Sequence, residues 1–355
     1  MEIRPLDQGL APAGDRHETD VAIIGAGPAG LFAVFQCGML GMRCHVIDSL
    51  ADIGGQCTAL YPEKPLYDIP GLPEASGRQL IEQLALQAAP FAPALHMSQQ
   101  VVSLTRSDSG GWSLASDAGT QIFARAVIIA GGVGAFAPKR PPLAGIDAYE
   151  GQAEGGGVHY LVRDIAAYTG KRVVVAGGGD SAVDWTLALT DVAASVYLVH
   201  RRDKFRAAPE SLNRLRQQAA AGRLELVVPG QLKGVEGQDR TLTSVVIDQR
   251  PAGGERAIAA DAVLAFYGLA QNIGPIAEWG LDLEGHRICV EPTTAATNLA
   301  GVFAIGDIAA YPNKRKLIVT GFSEAAFAAH AAFDAVFPGK ALHFEYSTTK
   351  GLPTP

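Results

Sequence analysis

Two glycine-rich stretches of this 355-residue chain have the residue spacing of nucleotide-binding loops. In the first, Gly25, Gly27 and Gly30 form G-x-G-x-x-G at the end of an apolar run. The first glycine of such a motif permits a tight turn, the second lets backbone approach a pyrophosphate, and the third allows close packing of helix and strand. The helix that follows would direct unpaired N–H groups and its positive dipole end at phosphate oxygens. The motif therefore predicts a dinucleotide site without specifying which dinucleotide.

An acidic residue stands where a ribose-binding group is expected. Asp48 lies 18 residues after Gly30, behind a second predicted strand at residues 44–47, and an acid about 20 residues on accepts hydrogen bonds from a ribose. A transmembrane helix is the competing interpretation, because residues 21–42 carry no charge and are numerous enough to span a bilayer. The glycines and Pro28 in that window favour a strand, a turn and a helix.

The second stretch repeats this spacing with the opposite charge. Gly177, Gly179 and Ala182 form G-x-G-x-x-A after an apolar strand, and His200 lies 18 residues after Ala182. Here the residues are basic: His200, Arg201, Arg202, Lys204 and Arg206. A basic cluster at this position pairs with a 2′-phosphate, whereas an acid accepts from a free hydroxyl. A solvated basic run at a strand end is the alternative, but the position is the one that determines cofactor choice.

Length and composition limit the classes of protein in which these two motifs could occur. A chain of 355 residues is expected to hold two domains, and 48% hydrophobic residues suffice for two cores. The formal charge of −7 argues against general nucleic-acid binding. The four cysteines form no C-x-x-C pair and no metal-ligand cluster, and the N-terminus has no apolar signal region. We therefore expect a cytoplasmic protein with no bound metal, no membrane segment and no dithiol.

Between and around the motifs, the chain alternates strand and helix patterns. A Gly/Pro-rich loop with two tyrosines spans residues 52–71, an amphipathic helix follows at 76–91, and a β-meander is expected at 101–123. A strand at 301–307 ends in Asp307, and Gly321 is expected to open an Ala-rich helix. Linkers are predicted at 137–142 and 267–272. The expected division is a tail at 1–18, a discontinuous domain at 19–137 and 270–355, and a second domain at 138–269.

The two units together suggest a redox enzyme. The economical interpretation is FAD held by the first unit, at 19–137 and 270–355, and NADP(H) bound by the second. The reaction would be hydride transfer between the two cofactors, with the protein positioning them and excluding water.

The sequence also resembles a known family. GAGPAG, GGGDSAVDW, HRRDKFRA and VFAIGD occur in the order found in two-domain flavoprotein reductases related to thioredoxin reductase. Those reductases carry C-x-x-C before the second glycine motif, where this chain has Val158 to Asp164 without cysteine, and bacillithiol-type reductases place a cysteine where Ala29 stands. The segments GGQCTALYPEKPLYDIPG, GGVGAF and EYSTTKG are similar to the thioredoxin-reductase-like ferredoxin–NADP⁺ reductases. The resemblance implies an α/β fold of two Rossmann-like, three-layer ββα domains.

The resemblance also implies roles for individual residues. Tyr61 would stack on one face of the isoalloxazine and Tyr346, in a C-terminal extension, on the other, with Ser347 near the flavin N5. Asp307 would bind the ribityl chain, and the Gly321 helix would point its N-terminus at the flavin O2. The remaining residues expected to contact FAD are Gly25, Gly27, Pro28, Ala29, Gly30, Asp48, Gly55, Gln56, Asp68, Val101, Gly132, Phe136 and Thr348. Those expected to contact NADP(H) are Gly178, Gly179, Asp180, Ser181, His200, Arg201, Arg202 and Arg206.

The predicted activity is electron transfer between NADPH and ferredoxin or flavodoxin by a homodimeric FAD enzyme. One alternative is a reductase of a low-molecular-weight disulfide or quinone. Another, of a different class, is a non-enzymatic protein that senses NADPH or FAD and binds a partner. The direction of electron flow and the identity of the ferredoxin are left open by the sequence.

Overall fold

A computed structural model describes residues 14–108, 110–150, 156–162, 164–249, 253–342 and 351. Its α-helices are α1 Pro28–Met39, α2 Gln56–Ala59, α3 Gly77–Ala88, α4 Asp180–Leu189, α5 Pro209–Ala220 and α6 Ile318–Val336. The strands up to residue 138 are β1 Arg16–Ile24, β2 Cys44–Ile47, β3 Pro65–Leu66, β4 Ala75–Ser76, β5 Ala94–His96, β6 Val101–Arg106, β7 Trp112–Ser116, β8 Gln121–Ile129 and β9 Ala135–Pro138.

The second half of the chain is also rich in strands. These are β10 Val158–His159, β11 Arg172–Ala176, β12 Ser195–Val199, β13 Glu225–Val227, β14 Gln231–Gln238, β15 Thr241–Asp248, β16 Glu255–Ala259, β17 Ala262–Ala265, β18 Leu269–Asn272, β19 Leu283–Glu284, β20 Arg287–Cys289, β21 Val302–Ala304 and β22 Ala309–Ala310. The chain forms two compact units, residues 1–136 with 271–355 and residues 137–270.

The first unit is built on a sheet in the order β5-β2-β1-β8-β7-β6, with β21 also paired to β8. Strands β5, β2, β1, β8 and β21 are parallel, and β8, β7 and β6 form the antiparallel meander expected from the sequence. Apolar residues of α1, α3 and α6 cover one face, and the other face packs on residues such as Ile276 and Ile288. The result is a layer of helices, the central sheet and a second β layer.

The second unit has the same three-layer plan. Its parallel sheet has the order β10-β17-β11-β12-β13, and a separate antiparallel sheet has the order β14-β15-β16. Residues of α4 and α5, including Trp185 and Leu215, pack on one face of the parallel sheet. Val245 and Ile258 of the antiparallel sheet pack on the other. The α/β fold class of two Rossmann-like units is confirmed by these sheets and by the structural neighbours reported below.

Several element limits differ from the sequence expectations. Strand β1 begins at Arg16 and pairs with β8 from that residue on. The expected N-terminal tail, residues 1–18, therefore includes the first three residues of this strand. Strand β8 is continuous where two strands were expected, because its first half pairs in the meander and its second half in the parallel sheet. Strands β14 and β16 were not predicted: their exposed polar residues and glycines hide the alternation of apolar side chains.

Residues 21–42 form the end of β1, a turn and α1, so the membrane-helix interpretation is wrong. In the part of the chain that the structure describes, no helix has the length and apolar character needed to cross a membrane. The amphipathic helix expected at 76–91 is α3 with a 3-10 turn, and Ser76 caps it. The Ser76 side chain accepts from Gln79 N at 3.2 Å, and the Gln79 side chain accepts from Ser76 N at 2.8 Å. This capping box fixes the start of α3.

Candidate functional site

A cavity of about 400 Å³ opens at the carboxyl edge of the parallel strands in the first unit. Its lining includes Ile24 at the end of β1, Ile47 and Asp48 at the end of β2, and Ala130 just after β8. Ligands of open parallel sheets bind outside the carboxyl ends of the strands. The cavity therefore lies where the fold places a ligand.

The first glycine motif contributes to one wall of this cavity, and its first and third glycines are required by their surroundings. Gly25 has φ +110, and a Cβ there would lie 2.4 Å from Ala130 O. A Cβ on Gly30 would lie 1.9 Å from Gly25 O, so only glycine lets α1 pack against the turn. Gly27 is different: a Cβ there meets no atom within 4 Å, and the residue lines the cavity. Gly27 therefore leaves room for a ligand.

The start of α1 is ready to bind an anion. Gly27 is the N-cap residue, and no side chain caps the helix, while Pro28 at its start has no N–H to satisfy. The first N–H groups of a helix lack partners inside it, and the helix dipole places positive charge at this end. With the open space beside Gly27, the arrangement fits a pyrophosphate.

Asp48 ties the end of β2 to the glycine turn. Its Oδ2 accepts from Ala26 N at 2.6 Å, and its Oδ1 accepts from Leu50 N at 2.9 Å. Burial raises the pKa of Asp48, and the two backbone hydrogen bonds oppose that rise. Because a carboxylate has about four lone-pair positions, two remain for a ligand hydroxyl. Asp48 thus shapes the loop as well as lining the cavity.

Tyr61 and Cys57 lie together on another part of the wall. Cys57 is in α2 and its Sγ donates to Tyr61 Oη across 3.6 Å. Burial raises the pKa of the Cys57 thiol to about 11 and also raises the pKa of the Tyr61 hydroxyl. Both groups therefore stay protonated at neutral pH. The Tyr61 ring is held by its neighbours at a surface of the cavity, as stacking on a planar ligand requires.

Asp307 reaches the cavity from the turn that follows β21, and burial raises the pKa of its carboxyl group. The preceding residue is held in place by a buried acid: Gly306 N donates to Glu324 Oε2 at 2.7 Å. Glu324 also forms an ion pair with Lys314 and accepts from Tyr311 Oη at 2.6 Å. A carboxylate only 2% exposed is thus fully partnered and fixes the segment that carries Asp307.

Helix α6 begins at Ile318, so the expectation that Gly321 opens it is wrong. The apolar residues Leu317 and Ile318 continue the helical pattern one turn further back than Gly321. Gly321 lies inside the first turn instead, where a Cβ would be 3.2 Å from the Ala29 Cβ. Lys316, Leu317 and Ile318 still bring the N-terminal end of α6 to the cavity wall.

In the second unit, the glycine motif joins β11 to α4 in the same way. A Cβ on Gly177 would lie 2.6 Å from Phe266 O, while one on Gly179 meets nothing within 4 Å. Gly179 is the N-cap of α4, and that helix too has no side-chain cap. Ala182 occupies the third position of the motif and is fully buried against β11 and β12 in the unit's core. The anion-binding geometry is therefore repeated.

The basic segment after β12 is hydrogen-bonded to this motif. Arg206 N donates to Gly178 O at 2.7 Å, and Ala208 N donates to Asp180 Oδ1 at 3.0 Å. The His200 ring packs so closely on Gly178 that a Cβ there would lie 2.2 Å from Cε1. Arg201 and Arg202 are exposed. The backbone is fixed to the glycine loop while the guanidinium groups stay available to an anion.

The cavity gathers many of the residues named from the sequence: Gly25, Gly27, Pro28, Ala29, Asp48, Gly55, Gln56, Tyr61, Val101, Gly132 and Asp307. Gly30 lies beneath the turn, and exposed Asp68 is absent from the lining although its charge raises the pKa of Tyr61. The Phe136 side chain, Tyr346, Ser347 and Thr348 lie outside what the structure describes. The ligand contacts of all these residues stay predictions.

Sequence reasoning missed a second group of lining residues, among them Gln99, Gln100, Ile276, Trp279 and Lys316. Trp279 Nε1 is buried and has no hydrogen-bond partner among the described residues. Buried donors are nearly always paired, so this N–H is suited to a ligand acceptor. These residues follow strand ends or linkers and carry no motif, although the polar pair Gln99–Gln100 ahead of β6 was a usable indication.

Comparison with known proteins gives these two units a family. Residues 19–332 match the family model described as pyridine nucleotide-disulphide oxidoreductase, which is most of the chain. The chain belongs to this family. Its members are the class of protein that the two glycine motifs predicted, and the match spans both units.

Relatives with curated names agree with one another. The chain is 56% identical over 338 residues to a ferredoxin–NADP reductase of Paramagnetospirillum magneticum, covering 95% of this chain and 99% of that one. It is 54% identical to a ferredoxin–NADP reductase of Rhodospirillum rubrum, covering 94% of this chain and 96% of that one. These relatives confirm the resemblance to ferredoxin–NADP⁺ reductases.

Solved structures show the same fold. Thioredoxin reductase of T. acidophilum aligns with a TM-score of 0.75 at 23% identity, over 89% of this chain and 98% of that one. Lactococcus lactis thioredoxin reductase aligns with a TM-score of 0.74 at 25% identity, over 90% of this chain and 99% of that one. The predicted thioredoxin-reductase-like fold is confirmed.

Proposed function

We propose that this chain is a ferredoxin–NADP reductase. The observation that carries the proposal is its identity of 54 to 56% over nearly the full length of proteins with that name. In the balanced reaction, NADPH gives up two electrons and a proton becomes free, while two ferredoxin molecules each accept one electron. Flavodoxin is an equivalent one-electron partner.

FAD is proposed to bind to the first unit, residues 19–137 with 270–355. The uncapped α1 N-terminus, the open space at Gly27, the free lone pairs of Asp48 and the orphan N–H of Trp279 fit a bound dinucleotide. Bound FAD supplies a carrier that accepts hydride and releases electrons one at a time. Tyr61, Gln56 and Asp307 would position its ring and chain, while apolar lining residues such as Ile24 and Ile276 exclude water.

NADP(H) is proposed to bind to the second unit, residues 138–269. Gly178 and Gly179 at the start of α4, with Asp180 and Ser181, would receive the pyrophosphate. Arg201, Arg202 and Arg206, beside His200, would pair with the 2′-phosphate, which a guanidinium group can bind through two hydrogen bonds. The exposure of these arginines supports a cofactor that exchanges at every turnover.

The alternative electron acceptor is a low-molecular-weight disulfide or a quinone. Thioredoxin reductases would pass the electrons to the disulfide form of a C-x-x-C pair, whereas the cysteines among the residues that the structure describes are all free. Within the same residues, no group of three metal-ligating side chains could hold a metal ion. Electrons would therefore leave directly from the flavin. Tyr346 and Ser347, in the C-terminal extension, are proposed to lie at the flavin face opposite Tyr61.

Stopped-flow mixing of the flavin-loaded protein with NADPH and a cognate ferredoxin tests the proposal. We expect rapid flavin reduction, followed by ferredoxin reduction at a rate that supports turnover. No ferredoxin- or flavodoxin-dependent turnover, together with turnover of a disulfide or quinone, would establish the rival enzyme. Tight nucleotide binding with slow flavin reduction would indicate a sensor. A homodimer and a cytoplasmic location are part of the proposal, and sedimentation velocity and cell fractionation test them.

A further inference from the structure

An acidic electron-carrier protein has to approach a reductase that is itself acidic. The chain has a formal charge of −7, so long-range electrostatics oppose the encounter unless a local patch reverses the sign. The patch must also lie beside the flavin cavity, because electrons cross only short gaps between proteins efficiently. Both conditions restrict the docking surface to the rim of the cavity.

The segment between the Asp307 turn and α6 meets both conditions. Residues 311–317 read YPNKRKL, with three cations and no acid. Lys316 and Leu317 line the cavity, and Arg315 precedes them. Arg315 and Lys316 are exposed, and Leu317 is 44% exposed, which is unusual for a large apolar side chain. We call Arg315, Lys316 and Leu317 the basic rim.

The remaining cation of the segment, Lys314, has its side chain in the protein interior. The Lys314 side chain is only 2% exposed and pairs with buried Glu324, which also accepts from Gly306 N and Tyr311 Oη. The Glu324 carboxylate neutralises the charge of Lys314. Because Glu324 also accepts from Gly306 N, it holds the chain in place at both Gly306 and Lys314. The backbone of the basic rim is therefore held beside the cavity before any partner arrives, which lowers the entropy cost of binding.

We infer that the basic rim is the docking surface for an acidic one-electron carrier protein, which covers the α6 end of the flavin cavity. This inference rests on the proposed function. Exposed Arg315 and Lys316 would attract carboxylates of the partner, and Leu317 would supply an apolar contact between them and the cavity. An apolar centre with a charged rim is the usual composition of a protein interface. Charges of this kind govern the association rate and its salt dependence more than the final affinity.

Charge reversal at Arg315 tests the inference, because Arg315 is absent from the cavity lining. Arg315→Glu should raise the KM for ferredoxin about tenfold or more at low salt and flatten its dependence on ionic strength. Reduction of a neutral quinone by NADPH, which needs no docking surface, should be unchanged and shows that the variant is folded and flavin-loaded.

Lys340→Glu is the matched control. It makes the same kind of change beyond the C-terminal end of α6, a helix of 19 residues that is about 28 Å long and begins next to the basic rim. An equal rise in the KM for ferredoxin in both variants, or no rise in either, would overturn the docking surface. If the unaltered protein shows no ferredoxin turnover at all, the proposed function fails instead, and the two failures are thereby distinguished.

Discussion

The two glycine motifs share a spacing and differ in what surrounds it. In the first unit, the residue 18 positions after the motif is half-buried Asp48, which accepts a hydrogen bond from Ala26 N in the glycine loop itself. In the second, the corresponding residue is His200, which packs its ring on Gly178 and leads into exposed arginines. The first arrangement borders a cavity, and the second presents charges at the surface. The same local fold therefore offers an enclosed site in one unit and an exposed one in the other.

The third motif position provides the sharpest test of the comparison. Gly30→Ala would place a Cβ 1.9 Å from Gly25 O, whereas Ala182 already carries a Cβ at the equivalent position. We expect Gly30→Ala to destabilise the first unit by more than about 3 kcal/mol, since backbone must move. The reverse change, Ala182→Gly, should cost only about 1 kcal/mol of helix propensity. Chemical denaturation and flavin content measure both, and similar losses would mean that the two turns are not packed differently.

The basic cluster should act on cofactor choice without affecting the fold. Arg201→Ala combined with Arg202→Ala should raise the KM for NADPH about 100-fold or more, because two charged hydrogen bonds are lost and each contributes about 1.5–3 kcal/mol. The KM for NADH should hardly change. Arg214→Ala with Arg216→Ala, two exposed positions on α5, is the matched control. Equal effects on NADPH and NADH would show that these arginines do not bind the 2′-phosphate.

Mild acid should affect the first unit through its buried histidines. Burial, with repulsion from neighbouring charges, lowers the pKa of His45 and His96 to about 4, and their rings lie 5.1 Å apart with His17 beside them. The unfolded chain takes up protons near the usual histidine pKa of about 6.5, so stability should fall as pH drops from about 6.5 to 4, by up to about 3 kcal/mol for each of the two histidines. Thermal unfolding across this range should show the slope, and His96→Asn should reduce it.

The smallest expected difference between the two units is at Asp48 and Asp180, whose carboxylates accept hydrogen bonds from loop backbone. Asp48 is half-buried and accepts from Ala26 N and Leu50 N, whereas exposed Asp180 accepts from Ala208 N. Asp48→Asn should cost about 1 kcal/mol and weaken FAD retention, since an amide cannot serve both N–H groups as acceptor. Asp180→Asn keeps one acceptor oxygen and should change stability by less than about 0.5 kcal/mol. Thermal shift and flavin release measure the difference.

Local structure was predictable from the sequence where a residue type has a single physical role. The β1–turn–α1 and β11–turn–α4 units follow from glycine, from strand hydrophobicity and from a missing cap, which are properties of short segments. The strands β14 and β16 were not predicted, because pairing across the sheet decides them. Trp279 was missed for a similar reason: its N–H lacks a partner only in the folded cavity.

By itself, the sequence determined the fold class, the two glycine motifs and the opposite charges at one spacing, since these depend on residue type and separation along the chain. Only the tertiary structure decided which charges face solvent. Lys314, Arg315 and Lys316 are consecutive cations in the sequence, yet the Lys314 side chain is buried against Glu324 while the other two residues are exposed. A charge acts according to its solvation and its neighbours, and residues distant along the chain supply both.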